Sequence, residues 1–401
     1  MSHHAPGTTP ATSWEFPSLQ VPGSPQFASA HGATCTDRDG TQYVDLAMGF
    51  GVRLFGHGAT SPIADVTQQV ATAASGLGDL YTHELREHAV RAVCEESAAC
   101  WSGATADSLR ASIWHTGSEA VETALKTALL ATGRSQIVAC TGAYHGTFGL
   151  AMAASWNPAF RTPFASQLSG SVQWTGWNEI PQVTEQVACV IVEPIQGRAG
   201  VIHPDPGFLA GLREACTQAG ALLVLDEVLT GSCRSGAMLA GGHAAPDIVA
   251  LGKALGGGVP ASATIARADV AAAAWGGITG EAIHTSTWVG DPIACAGIIA
   301  AHERRAATRD LQAEESRRWE QTLRVIADQH GYDLRGQGLV WALDTGTADA
   351  GWSLAQRLLH DHHIIVVPSG YDGRSITLLP SIADGDMARD TLAAALNSST
   401  A

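Results

Sequence analysis

The chain has 401 residues, 45% of them hydrophobic and 15% charged, with a formal net charge of −15 at pH 7. That length exceeds the size at which a single core usually stops growing, so two domains, or a large domain with a smaller appendage, are expected. Mean hydropathy is near zero, no apolar run reaches the length of a bilayer span, and the negative charge disfavours sequence-independent nucleic-acid binding, so neither a membrane nor a nucleic acid is an expected partner.

The first residues, MSHHAPGTTPATSW, have neither the basic nor the apolar region of a signal peptide. They read as a flexible leader, and residues 1–45 as that leader plus the N-terminal part of a small domain. The middle of the chain, 46–294, alternates short β-branched runs with amphipathic stretches. Strands are expected at Arg110–His115, Gln136–Cys140, Ala188–Val192, Ala221–Leu225, Ile248–Leu251 and Ala261–Ala266, with helices such as Ser118–Thr132 and Pro206–Ala219 between them. In the first helix Val121, Ala124, Leu125, Ala128 and Leu129 recur at helical spacing, and Gly133 stands where the chain would leave it. Strands alternating with helices predict an α/β domain around a mostly parallel sheet. From 295 to 401 the texture changes. A charged, helix-favouring stretch, Ala301–Gln329, precedes short strands near Gly338–Leu343, Ile364–Pro368 and Ser375–Leu379, which predicts a smaller α+β unit.

The eight cysteines are scattered without a C-x-x-C pair, and several lie in apolar runs where a thiol behaves as a small hydrophobe. Reduced cysteines in a cytoplasmic protein are expected, and no metal site. Only two of the 23 basic residues are lysines, Lys126 and Lys253. Chemistry that needs a primary amine therefore has two candidates. Lys126 lies four residues after Glu122 on a helix, the favourable order for a surface ion pair. Lys253 instead leaves an apolar strand and enters the glycine-rich turn Lys253-Ala-Leu-Gly-Gly-Gly-Val-Pro260. Ligands of open α/β sheets bind at the carboxyl ends of strands, and a lysine desolvated there can act as a nucleophilic amine. A solvated loop lysine is the plainer alternative.

Three further features have the same placement. Asp226 follows the buried run Ala-Leu-Leu-Val-Leu and needs a charged or hydrogen-bonding partner, which a protonated pyridine nitrogen, a metal or a helix N-terminus would each supply. Gly117 and Ser118 sit at a strand–turn–helix junction where a phosphate is favoured, although an ordinary serine N-cap reads the same. Tyr144 follows the next strand, where an aromatic could stack on a heteroaromatic ring or belong to the core.

In order, these segments resemble the class III (ornithine/ω-amino acid type) aminotransferases of pyridoxal phosphate (PLP) fold type I. The matches are His115-Thr-Gly-Ser-Glu-Ala120, Ala143-Tyr-His-Gly146, Glu193-Pro-Ile-Gln-Gly197, Leu225-Asp-Glu-Val-Leu-Thr-Gly231, Pro246–Pro260 and His284-Thr-Ser-Thr-Trp288, continued by Arg335-Gly-Gln-Gly338 and Leu378-Leu-Pro380. The resemblance covers roughly residues 30 to 390. It implies that Lys253 carries pyridoxal 5′-phosphate as a Schiff base and moves the substrate proton, and that Asp226 partners the pyridine nitrogen. Val228 and Tyr144 would flank the ring, with His145 and Glu193 among the cofactor contacts. Gly117 and Ser118 would form the phosphate cup, and Thr287 would serve the neighbouring subunit's phosphate, which implies a homodimer with shared active sites. Phe50 matches a substrate-pocket position.

Three departures concern substrate. Many family members have a glutamate where this chain has Arg198, an arginine where it has Thr377, and a glutamine where it has Leu229. In such enzymes the arginine binds an α-carboxylate and the glutamate neutralises it for ω-amino substrates. Both halves of that switch are missing: either Arg198, Arg374 or Arg53 takes over carboxylate recognition, or Arg198 points to solvent and the substrate has no α-carboxylate in that pocket. The expected activity is ping-pong transamination between an amino acid or amine donor and a keto acid or aldehyde acceptor, with a specialised, secondary-metabolic substrate. An aminomutase of the glutamate-1-semialdehyde type shares these motifs; a non-catalytic protein of the fold is the rival of another class.

Overall fold

The computed structural model describes residues 25–58, 61–73, 78, 80–168, 172–277 and 282–398; the expected leader lies outside them. The strands of the central sheet are β4 (Leu109–Trp114), β5 (Gln136–Cys140), β6 (Val172–Thr175), β7 (Val187–Val192), β8 (Leu222–Glu227), β9 (Ile248–Leu251) and β10 (Ser262–Arg267), in the order β4-β10-β9-β8-β7-β5-β6. β5 to β9 pair in parallel, and β10 alone runs antiparallel to both its neighbours. The expected mostly parallel sheet is therefore present.

Its middle strands are apolar on both faces because helices cover both. Every residue of β7 is buried. Val138 and Val190 turn to one side, into a core with Ala89 and Val93 of helix Glu84–Ala98 and Phe208 and Leu212 of helix Phe208–Ala219. Ala139 and Ile191 turn to the other, against Val121, Ala124 and Leu125 of helix Gly117–Thr132. That helix starts from a capping box, with Thr116 as N-cap and Glu119 returning to its amide, and ends at left-handed Gly133. Ser118 therefore lies inside the first turn and is not the cap.

Two smaller sheets flank this body. β1 (Phe27–His31), β2 (Thr34–Asp37) and β3 (Gln42–Asp45) form an antiparallel meander, extended in parallel by β13 (Ile364–Ile365). β11 (Asp333–Gln337), β12 (Val340–Asp344), β14 (Val367–Ser369) and β15 (Ser375–Leu378) form an antiparallel sheet in the order β11-β12-β15-β14. Trp319, Leu323, Trp341, Leu343, Leu358 and Leu392 build its core, which Leu46, Met48 and Phe55 join from the N-terminal side.

The charged stretch expected as one helix is two. Pro292–Ala307 starts behind Asp291, whose carboxylate accepts from the amides of Ile293 and Ala294, with proline at the first position. It stops at Thr308, whose backbone is non-helical, and Arg309–His330 restarts there. Ala294, Cys295, Ile298 and Ile299 hold the first helix in the core of the central sheet, so its axis cannot continue into the second. β6 and β11 were not foreseen either: both are edge strands, with weak patterning. No helix among the described residues is long and apolar enough to cross a membrane.

Candidate active site

Parallel strands bring successive carboxyl ends to one edge of the sheet. β5 leads to Tyr144 and His145, β7 to Glu193, β8 to Asp226, and β9 to Lys253; in the β8–β9 ladder Asp226 stands opposite Ala250, three residues before the lysine. From the far side of the sheet the start of helix Gly117–Thr132 reaches the same point. A Cβ on Gly117 would lie 2.5 Å from a Val228 methyl, and one on Gly252 would lie 3.2 Å from the same methyl and 3.4 Å from Gly117 Cα. The two glycines are required by this three-way approach of backbone. They place Lys253, Val228 and the helix N-terminus side by side.

Lys253 itself has φ of +37°, in the left-handed region that a residue with a side chain adopts only under constraint. Its side chain is half-buried. Burial lowers the lysine pKa from its ordinary value, Asp226 and Glu193 oppose that, and Arg198 adds to it. Lys126, the other lysine, pairs with Glu122 at 3.4 Å as the helix spacing predicts, and also reaches His284 Nδ1 at 3.2 Å. It thereby ties the helix to the segment carrying Thr287.

The floor of the cluster is a closed network. Asp226, 4% exposed, accepts from Val228 N at 3.0 Å through Oδ1 and meets His145 Nδ1 at 2.7 Å through Oδ2. The opposite ring nitrogen of His145, Nε2, is buried without a partner among the described residues. Glu193 accepts from Tyr144 N at 2.9 Å and from Gly197 N at 3.0 Å, fixing both segments to the end of β7. Burial is the main reason its carboxyl is pushed up to about 7; Asp226 adds to this and His145 opposes it. At the helix start, the amides of Gly117 and Ser118 have no acceptor among the described residues, and Ser118 Oγ accepts from Thr147 N at 3.3 Å.

The wall above this floor is open. The Arg198 guanidinium carbon lies 5.1 Å from the ring centre of Tyr144 and 5.1 Å from that of Phe160, and these two rings meet edge to face at 5.4 Å. Arg198 is exposed and has no carboxylate partner among the described residues. Its carbonyl accepts from Gly370 N at 3.1 Å, which brings in the loop holding Tyr371. Tyr371 donates to Gly142 O at 3.0 Å and packs against Trp156 at 5.0 Å. Phe160, Tyr371 and Trp156 were missed from sequence. Their only signal is being aromatic in a chain with 6% aromatics, since they come from crossover loops with no periodic pattern.

Other expected residues lie elsewhere. Thr377 is buried in β15 and its hydroxyl donates to Ser369 Oγ at 2.8 Å; its strand neighbours Ala342 and Val367 pack with Ile195 and Leu229, so the hydroxyl is taken up inside the protein. Arg374 is exposed and paired with Asp372. Arg53 lies against Gly258, in the glycine-rich turn five residues after Lys253. Of the three arginines, only Arg198 stands with Tyr144. Phe50 is 61% exposed on a turn, Met48–Gly51, in which all four residues have positive φ. Thr287 is exposed, beside the exposed Trp288 and Ile283, rather than in this cluster.

The model of the class-III aminotransferase family matches residues 24–396 of the chain. The acetylornithine aminotransferase of Methanopyrus kandleri is 35% identical over 339 residues, covering 82% of each chain. The putrescine aminotransferase of Pectobacterium atrosepticum is 32% identical over 382 residues, 90% of this chain and 79% of the relative. Among solved structures, an amine transaminase from an uncultivated Pseudomonas species, in its PLP-bound form, superposes with a TM-score of 0.82 at 26% identity, over 97% of this chain and 98% of its own. A cluster built at the carboxyl edge of this sheet, in a chain matched over nearly its whole length, has one assignment: the protein belongs to the class-III aminotransferases, enzymes that transfer amino groups.

Proposed function

We propose that the cluster around Lys253 is the amino-transfer site, working by a ping-pong cycle on donors or acceptors that carry a carboxylate. The family's cofactor is pyridoxal 5′-phosphate, and the residues present fit it. The free amides of Gly117 and Ser118 at a helix start suit a phosphate, the buried Asp226 carboxylate suits a protonated ring nitrogen, and Val228 and Tyr144 offer two faces for a flat ring. When bound, the cofactor supplies an electron sink that makes the donor's Cα–H acidic.

The chain's own groups do the rest. Lys253 anchors the cofactor, and its Nζ, with its basicity lowered by burial, takes and returns the proton at the substrate Cα. His145 holds Asp226 in place through Nδ1, so that the carboxylate stays correctly turned. Arg198 presents its guanidinium from the wall of Tyr144 and Phe160 to the substrate carboxylate. Its place on that wall, with no carboxylate competing for it among the described residues, is the observation that favours a carboxylate-bearing substrate. A specialised substrate accords with the absence of the family's usual arginine at Thr377.

The reading extends to a homodimer in which Thr287 completes the partner's phosphate site. Exposed Phe50, Leu80, Tyr81, Ile283 and Trp288 supply apolar surface for it. A cytoplasmic location fits eight free cysteines. Borohydride reduction of the cofactor-loaded enzyme followed by peptide mapping tests the anchor: the label belongs on Lys253, and labelling of Lys126 would overturn the assignment. Amino transfer from L-glutamate that needs an added keto acid to turn over repeatedly supports the ping-pong cycle.

A further inference from the structure

Three metal-ligating side chains meet away from the cofactor cluster. Cys35 stands on β2, Asp45 ends β3, and His57 follows the turn that carries Phe50. Cys35 Sγ lies 3.9 Å from Asp45 Oδ2 and 3.7 Å from His57 Nε2, and Nε2 lies 2.8 Å from Oδ2. A tetrahedral ion with metal–sulfur near ~2.3 Å and metal–nitrogen and metal–oxygen near ~2.0–2.1 Å has ligand–ligand edges of about 3.3–3.6 Å. Two edges of this triangle are already within a few tenths of an ångström of that. The third, now 2.8 Å, opens by about 0.5 Å when an ion sits between imidazole and carboxylate.

The ligands are held by the backbone and not by one another alone. Asp45 Oδ1 accepts from the amides of Ala47 and Met48, both at 2.8 Å, which leaves Oδ2 aimed at the other two side chains. The backbone of His57 exchanges hydrogen bonds with Gly32 at 2.8 and 3.1 Å. Cys35 is fixed opposite Tyr43 in the β2–β3 ladder. Cys35 and Asp45 are each 5% exposed, with His57 on the solvent side.

The donor set also selects the ion. Thiolate and imidazole suit zinc-class ions and not magnesium or calcium. A thiolate and a carboxylate neutralise a dication, so the loaded site is compatible with the nearby positive charge of Arg53, which acts on Cys35.

We propose that Cys35, Asp45 and His57 bind one divalent ion of the zinc class, with the fourth position open to water beside His57. The ion staples β2 and β3 to the His57 segment and clamps Asp45. That aspartate carries the amides from which the left-handed turn Met48–Gly51 departs. The role is structural and separate from amino transfer. Cysteine spacing gave no hint of it, since the ligands are 10 and 12 residues apart and of three different types.

The test uses the cofactor-loaded enzyme, stripped of loose metal by a chelator and titrated with Co2+. The expected result is saturable uptake of a single equivalent per chain, with the visible d–d absorption of tetrahedral cobalt at longer wavelength than the cofactor bands, and a higher Tm. Cys35→Ser and His57→Ala should lose that absorption, and bind more weakly by more than the roughly 10–100-fold that loss of an outer-shell partner brings. Cys233→Ser should behave as wild type. Absence of saturable uptake by the wild type overturns the proposal, as does uptake left unchanged by Cys35→Ser and His57→Ala. Should Cys35→Ser fail to fold, His57→Ala, at the more accessible ligand, and the wild-type titration still decide.

Discussion

The floor and the wall of the candidate site are built on opposite plans. On the floor both carboxylates are held by the protein: Asp226 by His145 and the Val228 amide, Glu193 by the Tyr144 and Gly197 amides. On the wall, Arg198 has aromatic rings on two sides and no carboxylate partner among the described residues. A floor held in this way suits a resident group that never leaves, since buried charges are tolerable only when oriented and paired. An open guanidinium suits something that comes and goes. Substitutions on the floor should therefore affect all substrates alike, and substitutions on the wall should discriminate between them.

The largest effect expected is that of Lys253→Ala. Removing the amine that moves the Cα proton should lower kcat by about 10^3-fold or more for every donor. Equal turnover by this variant and wild type would break the assignment of the floor. Next comes Arg198→Ala. A charge-assisted hydrogen-bonded pair at an exposed position contributes about 1–2 kcal/mol, so kcat/KM for carboxylate-bearing donors should fall roughly 10-fold or more. Simple amines should react at the wild-type rate. A uniform fall for both classes would place Arg198 with the floor and remove the contrast.

The floor and the wall also differ in how legible they were. Asp226, Lys253 and Gly117 could be read because strand ends and glycine turns leave local marks, and because the ordered motifs resemble a known family. Thr116 as the cap was not seen, since Ser118 offered the same hydroxyl two residues later. Trp156, Phe160 and Tyr371 depend on where loops of 156–160 and 370–374 meet, a tertiary fact with no periodicity. Thr377 was placed at the substrate by alignment to the family pattern. In β15 it stands opposite Val367, and its hydroxyl is taken up by the buried Ser369 one pair along the ladder. Motif position predicts where a backbone lies; it does not show which polar neighbour a substituted side chain will bind.

A smaller effect concerns stability and pH. Glu227 ends β8 beside Asp226, fully buried, accepting from Gly241 N at 2.7 Å and from the Thr230 hydroxyl. Burial is the main reason that its carboxyl, like that of Glu193, is pushed up to about 7 from 4.5. Between those values the folded chain binds more protons than the unfolded chain, so stability falls as pH rises from 4.5 to 7 and levels off above that range. Each group contributes at most about 1.4 kcal/mol per pH unit. Glu227→Gln should flatten the Tm profile in that window while Glu193 keeps the remaining slope. A wild-type Tm that climbs through the same window would show that both carboxyls are ionised in the fold.

The smallest effect tests the wall from behind. Thr377→Val keeps the shape of the side chain and removes only the hydroxyl that donates to Ser369. Ser369 Oγ is left in a buried setting with one partner fewer, which should lower stability by about 1 kcal/mol. Because the hydroxyl is taken up by Ser369, KM and kcat for carboxylate donors should stay at wild-type values. A raised KM at unchanged stability would mean that Thr377 turns outward to the substrate in the loaded enzyme. Arg198 would then share carboxylate recognition with β15 instead of holding it alone.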